Sequence, residues 1–144
     1  MIGIVIITHG DFSKALLETA QGIVGKQQFI SAITISYSED PKSVQQRLEK
    51  EINANKTVDD WLILTDMVGG TPCNICLTLA SGKFIGVPKI FEVVSGVNLY
   101  MLISAFINRD KMPLTELKNK IMEDAKSSIM DAKEKFLCRL KKDE

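Results

Sequence analysis

Residues 2–11 read IGIVIITHGD. Positions 2–7 are apolar without a break and rich in β-branched side chains, the pattern of a strand buried on both faces. Such strands belong to parallel sheets covered by helices on either side. The run stops at Thr8-His9-Gly10-Asp11, and His9 is the only histidine in the chain.

Outward from that stretch, strand-like and helix-like runs alternate. Residues 11–25 place Phe12, Leu16, Ala20, Ile23 and Val24 at helical spacing, with Asp11 or Ser13 suited to cap the start and Gly25 the end. Residues 29–37 alternate large and small side chains, which predicts a half-exposed strand at a sheet edge. Val44, Leu48 and Ile52 form one stripe over 41–54, behind Pro41 in the first helical turn. Residues 61–65 (WLILT) read as a second fully buried strand, 72–82 as a short helix opening with Pro72, 89–94 as a fourth strand and 98–108 as an apolar helix. Over 114–140, Leu117, Ile121, Ala125, Ile129, Ala132, Phe136 and Leu140 recur mostly at four-residue intervals and predict a long helical segment. The fold class that follows is α/β: an open, mostly parallel four-stranded sheet with helices on both faces, as one domain over residues 1–144.

The totals agree with that frame and exclude several functions. A chain of 144 residues can bury one real core. Lysine plus arginine number 18 and aspartate plus glutamate 18, so no basic face is advertised for nucleic acid or for a membrane surface. Three cysteines do not make a disulfide framework. The opening MIGIVIITHG lacks the basic region and cleavage site of a secretory signal. The longest apolar stretch, around LYMLISAFI, is far short of the ~20 residues that span a membrane. The expectation is a soluble cytoplasmic protein, disordered only in the last residues, LKKDE.

In open α/β sheets the ligand crevice lies beyond the carboxyl ends of the strands. Four loops leave those ends: Thr8-His9-Gly10-Asp11, Ser38-Glu39-Asp40-Pro41, the run from Asp66 through Val68, Gly69, Gly70 and Thr71 to Pro72, and Ser95-Gly96-Val97-Asn98. If the two fully buried strands are neighbours, His9 and Asp66 emerge at one edge. A carboxylate that accepts from one ring N–H fixes the tautomer and leaves the other nitrogen free as a nucleophile. Gly69 and Gly70 let backbone amides approach a ligand, and a helix opening at Pro72 presents unpaired amides to phosphate. The first helix, starting just beyond His9, offers the same. Together these features suggest a phosphohistidine carrier.

The stretches IVIITHGD, ILTDMVGGTPCN and EVVSGVNLYML resemble the IIA component of the mannose-family (mannose–fructose–sorbose) bacterial sugar phosphotransferase system. The resemblance covers residues 1 to about 130. It implies that His9 is phosphorylated by phospho-HPr and passes the group to a IIB component, which serves sugar uptake through membrane IIC and IID components. It implies that Asp66 hydrogen-bonds the histidine and that Thr71 lies in the phosphate-binding loop beside Gly69 and Gly70. It further implies a homodimer whose sheet gains an antiparallel strand exchanged from the C-terminal region. A piece around residues 127–133 is then either that strand or part of the helix. The chain ends in KKDE without an Ala/Pro-rich linker, so IIB is expected on a separate chain. Val68 stands where some relatives have a large aromatic residue. Asp11 reads as the cap of the first helix, and Thr8 and Gly10 as residues that shape the loop.

Neither metal nor cofactor is expected: one histidine and scattered carboxylates make no cluster, and no GxxxxGK[ST] loop is present for ATP. Cys73-Asn74-Ile75-Cys76 is a CxxC at a helix start, which suggests thiol redox chemistry as a rival, or else two small apolar residues packing a helix. Thr8 stands where a phosphohistidine phosphatase or mutase has arginine. A regulatory binding module switched by phosphorylation is the remaining alternative on the same fold.

Overall fold

The computed structural model describes residues 1–83 and 89–141. Strands β1 (Ile2–His9), β2 (Ile30–Ile35), β3 (Asp60–Thr65) and β4 (Ile90–Ser95) form one sheet in the order β2-β1-β3-β4, with every neighbouring pair parallel. Helices α1 (Phe12–Val24), α2 (Pro41–Ala54), α3 (Thr71–Thr78) and α4 (Leu99–Asn108) follow the four strands in turn. Helices α5 (Leu114–Ser127) and α6 (Ala132–Leu140) close the chain.

The central strands are the two uninterrupted apolar runs, and their alternation sorts the core. From β1, Ile2, Ile4 and Ile6 join Leu16 and Ala20 of α1, Leu102 and Ala105 of α4 and Leu117 and Ile121 of α5. Val5 and Ile7 point the other way, onto Val44, Leu48 and Ile52 of α2 and Ile75 and Cys76 of α3. Both faces are covered, as a parallel sheet requires. The run 29–37 forms the edge strand β2 in its middle, Ile30–Ile35, with only its last residues well buried.

The chain leaves β1 for β2 on one side, then crosses back over β1 to β3. The strand order therefore reverses between β1 and β3, and the crevice of an open α/β sheet opens at such a switch point. His9 and Asp66 stand at the two strand ends that border it.

Three expectations change. The helix expected over 72–82 is α-helical only through Thr78, then widens into a π-helical turn, Leu79–Lys83, where Gly82 takes a positive φ of 87°. The long helix expected over 114–140 breaks between α5 and α6. The Ser128 hydroxyl donates to the Ala125 carbonyl, and the Asp131 carboxylate accepts from the Glu134 amide to start a new helix. No strand forms over residues 127–133 in the single chain. Burial stops with the break: Ala125 is buried, Ile129 is 82% exposed and no residue of α6 is buried. The third concerns Asp11. It stands at the N-cap position of α1, yet its side chain caps nothing. The cap is the hydroxyl of buried Thr8, which accepts from the Ser13 amide at 2.7 Å. Most of LKKDE lies outside the described residues.

Asp40 caps α2 and Asn98 caps α4, each through its carboxylate or amide oxygen. No helix among the described residues is long and apolar enough to cross a membrane.

Candidate functional site at the switch point

His9 is the last residue of β1, and its backbone is held at both ends. Its amide donates to Oδ2 of Asp66 at 2.9 Å, and its carbonyl accepts from the Thr8 hydroxyl at 3.3 Å. Gly10 then turns the chain with a φ of 54°, and its amide donates to the Ile35 carbonyl at 2.8 Å. A side chain at Gly10 would strain that left-handed turn.

The imidazole is held as firmly. Nδ1 lies 2.8 Å from Oδ2 of Asp66, the oxygen that also receives the His9 amide. The other oxygen, Oδ1, accepts from the Met67 amide at 2.9 Å and from the Thr65 hydroxyl at 3.4 Å. Burial pushes the Asp66 carboxyl up, but hydrogen bonds from His9 and Met67 and the His9 charge outweigh it and hold the group below its ordinary value. An ionised carboxylate can only accept, so the proton of a neutral ring sits on Nδ1 and the lone pair on Nε2. The His9 side chain is 29% exposed, enough for another group to reach it.

The loop after β3 supplies the floor. Gly69 has a φ of 81°, a turn that favours glycine. Gly70 has an ordinary φ, and its reason for being glycine is steric. A Cβ there would stand 2.8 Å from Cε1 and 3.4 Å from Nε2 of His9. The chain thus passes directly against the edge of the ring. No side chain caps α3, and Pro72 occupies its first turn, so the amides at its start have no side-chain partner. Thr71 opens α3 and lines a groove between α2 and α3 with Lys42, Gln45 and Asn74. Among the described residues, no hydrogen bond joins it to His9 or Asp66. The loop after β4 is tied in by the Gly96 amide, which donates to the Asp66 carbonyl at 3.1 Å.

The structure therefore brings His9, Asp66 and Gly70 together, with Gly69 shaping the same loop and Thr71 following it. The start of α1 contributes less than the sequence suggests, because Thr8 already takes the Ser13 amide. Thr8, read from the sequence only as shaping the loop, also caps α1, and the Met67 amide is a part of the site that sequence reading does not assign. A hydroxyl at the end of an apolar run is the only trace the capping role of Thr8 leaves, and a backbone amide leaves none.

The cysteine pair does not form a second site. Cys73 and Cys76 are both buried, and burial, reinforced by Cys73, pushes the Cys76 thiol up to about 12. A thiol held so far from ionisation is a poor nucleophile. No group of metal-ligating side chains occurs among the described residues.

Comparison with known proteins gives a consistent result. The model of the family described as the PTS system fructose IIA component matches residues 3–122. The fructose-specific EIIA component of the PTS in Bacillus subtilis (strain 168) is 28% identical over 129 residues, covering 90% of this chain and 85% of that protein. The mannose-specific EIIAB component of Escherichia coli (strain K12) is 29% identical over 135 residues, covering 93% of this chain. The chain spans only 40% of that longer relative. Among solved structures, the phosphotransferase system component EIIA from Streptococcus agalactiae superposes with a TM-score of 0.82 at 30% identity, covering 91% of this chain and 97% of that one. The mannose/sorbose-specific IIA subunit from Enterococcus faecalis shares the fold at a TM-score of 0.78 and 23% identity, covering 90% of this chain and 92% of that one.

Proposed function

The chain belongs to the mannose-type IIA family of the sugar phosphotransferase system, and on that premise we propose that it is a cytoplasmic phosphohistidine carrier with His9 as the phosphoryl acceptor. The donor is phospho-HPr and the acceptor a histidine of a IIB component, through which the group reaches sugar entering by membrane IIC and IID partners. The observation that carries the reading is the 2.8 Å contact between His9 Nδ1 and Asp66, which leaves Nε2 as the free nucleophile.

The step balances without a metal or cofactor. The Nε2 lone pair forms a new P–N bond as the P–N bond of the donor histidine breaks, and the donor ring leaves with that electron pair. The Nδ1 proton stays on His9, which becomes an imidazolium, and the Asp66 carboxylate stabilises the positive charge. Negative charge spreads over the three equatorial oxygens of the phosphoryl group in transit. The open amides at the start of α3 and the Thr71 hydroxyl are suited to receive it. Gly70 keeps the ring edge clear, and the backbone clamp on His9 means that little reorganisation accompanies transfer.

Incubation with phosphoenolpyruvate, enzyme I and HPr tests the reading. Wild-type protein is expected to take up one phosphoryl group and His9→Ala none. Undiminished labelling of His9→Ala overturns it. The exposed apolar side chains of Ile129, Phe136, Leu137 and Leu140 support a homodimer, in which a second copy covers the C-terminal arm. Residues 129–131 between α5 and α6 have no regular structure in the single chain, and the expected exchanged strand around 127–133 would form there only on pairing with the second copy. Gel filtration at the monomer mass would exclude this dimer.

A further inference from the structure

Helices favour acidic residues in their first turn, where unpaired amides concentrate positive charge. The four helices that start at His9's end of the sheet break that rule together. None of α1, α2, α3 and α4 carries an acidic residue in its first turn. Of the two helices that follow no strand, α5 carries Glu116 there and α6 carries Glu134 between Lys133 and Lys135. α1 and α2 go further and place a lysine in that turn, Lys14 and Lys42. A cation at a helix start works against the helix, and residues that break a local rule in this way mark function.

Of the two lysines, Lys42 shares a groove with the phosphate loop. The groove between α2 and α3 measures about 360 Å³ and is lined by Lys42, Thr71 and Asn74, among others. Thr71 follows directly on Gly70, where a Cβ would stand 3.4 Å from Nε2 of His9. The groove therefore adjoins the loop that packs on the reacting nitrogen. The Lys42 ammonium is uncommitted: among the described residues it makes no ion pair and no hydrogen bond. The two carboxylates just before it in the chain are engaged elsewhere. Glu39 pairs with the Arg47 guanidinium at 2.6 Å, and Asp40 accepts from the Ser43 amide at 3.2 Å.

We propose that Lys42 is a further catalytic residue, whose ammonium meets the phosphoryl oxygens at the Thr71 end of the groove while the group moves onto His9. The inference rests on His9 being the phosphoryl acceptor. The other groups suited to receive those oxygens, the amides of α3 and the Thr71 hydroxyl, are neutral donors. Negative charge that spreads over three oxygens is held better when one of the groups facing it carries a full positive charge. A lysine on a flexible four-carbon stem can rest in solvent beside an unloaded His9 and close on the oxygens when the group arrives. Lys42 forms and breaks no covalent bond and keeps its proton throughout. The exchange of P–N bonds is the one already written for His9.

The test measures transfer to His9 in wild-type protein, Lys42→Met and Lys50→Met, with phospho-HPr and with phosphoramidate as donors. Phosphoramidate brings the same phosphoryl group without a protein surface. Lys42→Met is expected to slow transfer about tenfold with both donors, while the melting temperature stays level or rises because a cation has left the helix start. Lys50→Met removes the same charge about two turns further along α2 and is expected to leave both rates level. An unchanged rate in Lys42→Met overturns the proposal. A loss confined to phospho-HPr also overturns it, because Lys42 then meets the partner protein rather than the phosphoryl group. So does an equal loss in Lys50→Met, which assigns the effect to the overall charge of the chain. Wild-type protein that takes up the group from neither donor removes the carrier reading itself, and that control is read separately from the variants.

Discussion

Two rings in this molecule rest on a glycine, one in each half of the sheet. Trp61 of β3 lies over Gly3 of β1, its register partner, where a Cβ would stand 2.7 Å from the indole ring. His9 lies against Gly70, where a Cβ would stand 2.8 Å from Cε1. The local geometry is nearly the same and the outcome is opposite. Trp61 is 1% exposed, and its indole N–H donates to the Val58 carbonyl at 3.2 Å, so the ring is sealed into the core. His9 is held by a carboxylate on one nitrogen and open on the other. Close approach to glycine at the first position secures packing; at the second it secures access.

The contrast is broken most severely by removing the charge that holds the open ring. Asp66→Asn keeps an oxygen for Nδ1–H but turns its NH2 toward the Met67 amide and no longer stabilises the imidazolium, so phosphoryl transfer is expected to fall about 10–100-fold with only a small drop in melting temperature. A large loss of stability instead would make Asp66 a structural residue. The same carboxylate predicts a pH dependence. Its folded value lies below the ordinary 3.8, so the bond stabilises the fold above that pH and is lost as pH falls through the lowered value. Acid titration of His9 ring signals should show that step in wild-type protein and not in the variant.

A smaller and sharper test exchanges the two glycines' roles. Gly70→Ala is expected to slow transfer roughly tenfold by displacing the ring from Asp66, with little change in stability. Gly3→Ala should do the reverse, costing about 1–3 kcal/mol through overpacking against Trp61 while transfer survives in the folded fraction. Thermal melts and transfer rates on both variants decide the matter. If both lose stability and neither loses rate, the distinction between a packing glycine and an access glycine fails.

Much of this was legible in the sequence because the decisive signals are local. Six apolar residues and Thr8 before His9, and four apolar residues and Thr65 before Asp66, identify central strands, and the side chains that follow them must share an edge. That reasoning reaches the His9–Asp66 pair without coordinates. It names Gly70 for the approach of a ligand and misses the approach of the His9 ring, because a steric need for glycine reads the same as a conformational one, as at Gly69. It assigns the cap of α1 to the nearest acidic residue, Asp11, whereas the sheet delivers Thr8 from behind. It also reads 114–140 as one element. The apolar spacing continues past Ala125, but the sheet ends there, and periodicity does not record whether anything remains to pack against.

The anchoring of His9 has a kinetic consequence. On the proposed carrier role, with Nδ1 committed to Asp66, one nitrogen serves both as the place of arrival and as the place of departure. Giver and receiver cannot be seated together, so a carrier of this design works by alternating visits. Its throughput is limited by how fast each visitor leaves, and a surplus of either partner slows the relay by occupying the seat at the wrong moment. Brief attachment is therefore an advantage here, and mutations that tighten the grip on one partner are expected to reduce flux through the pair.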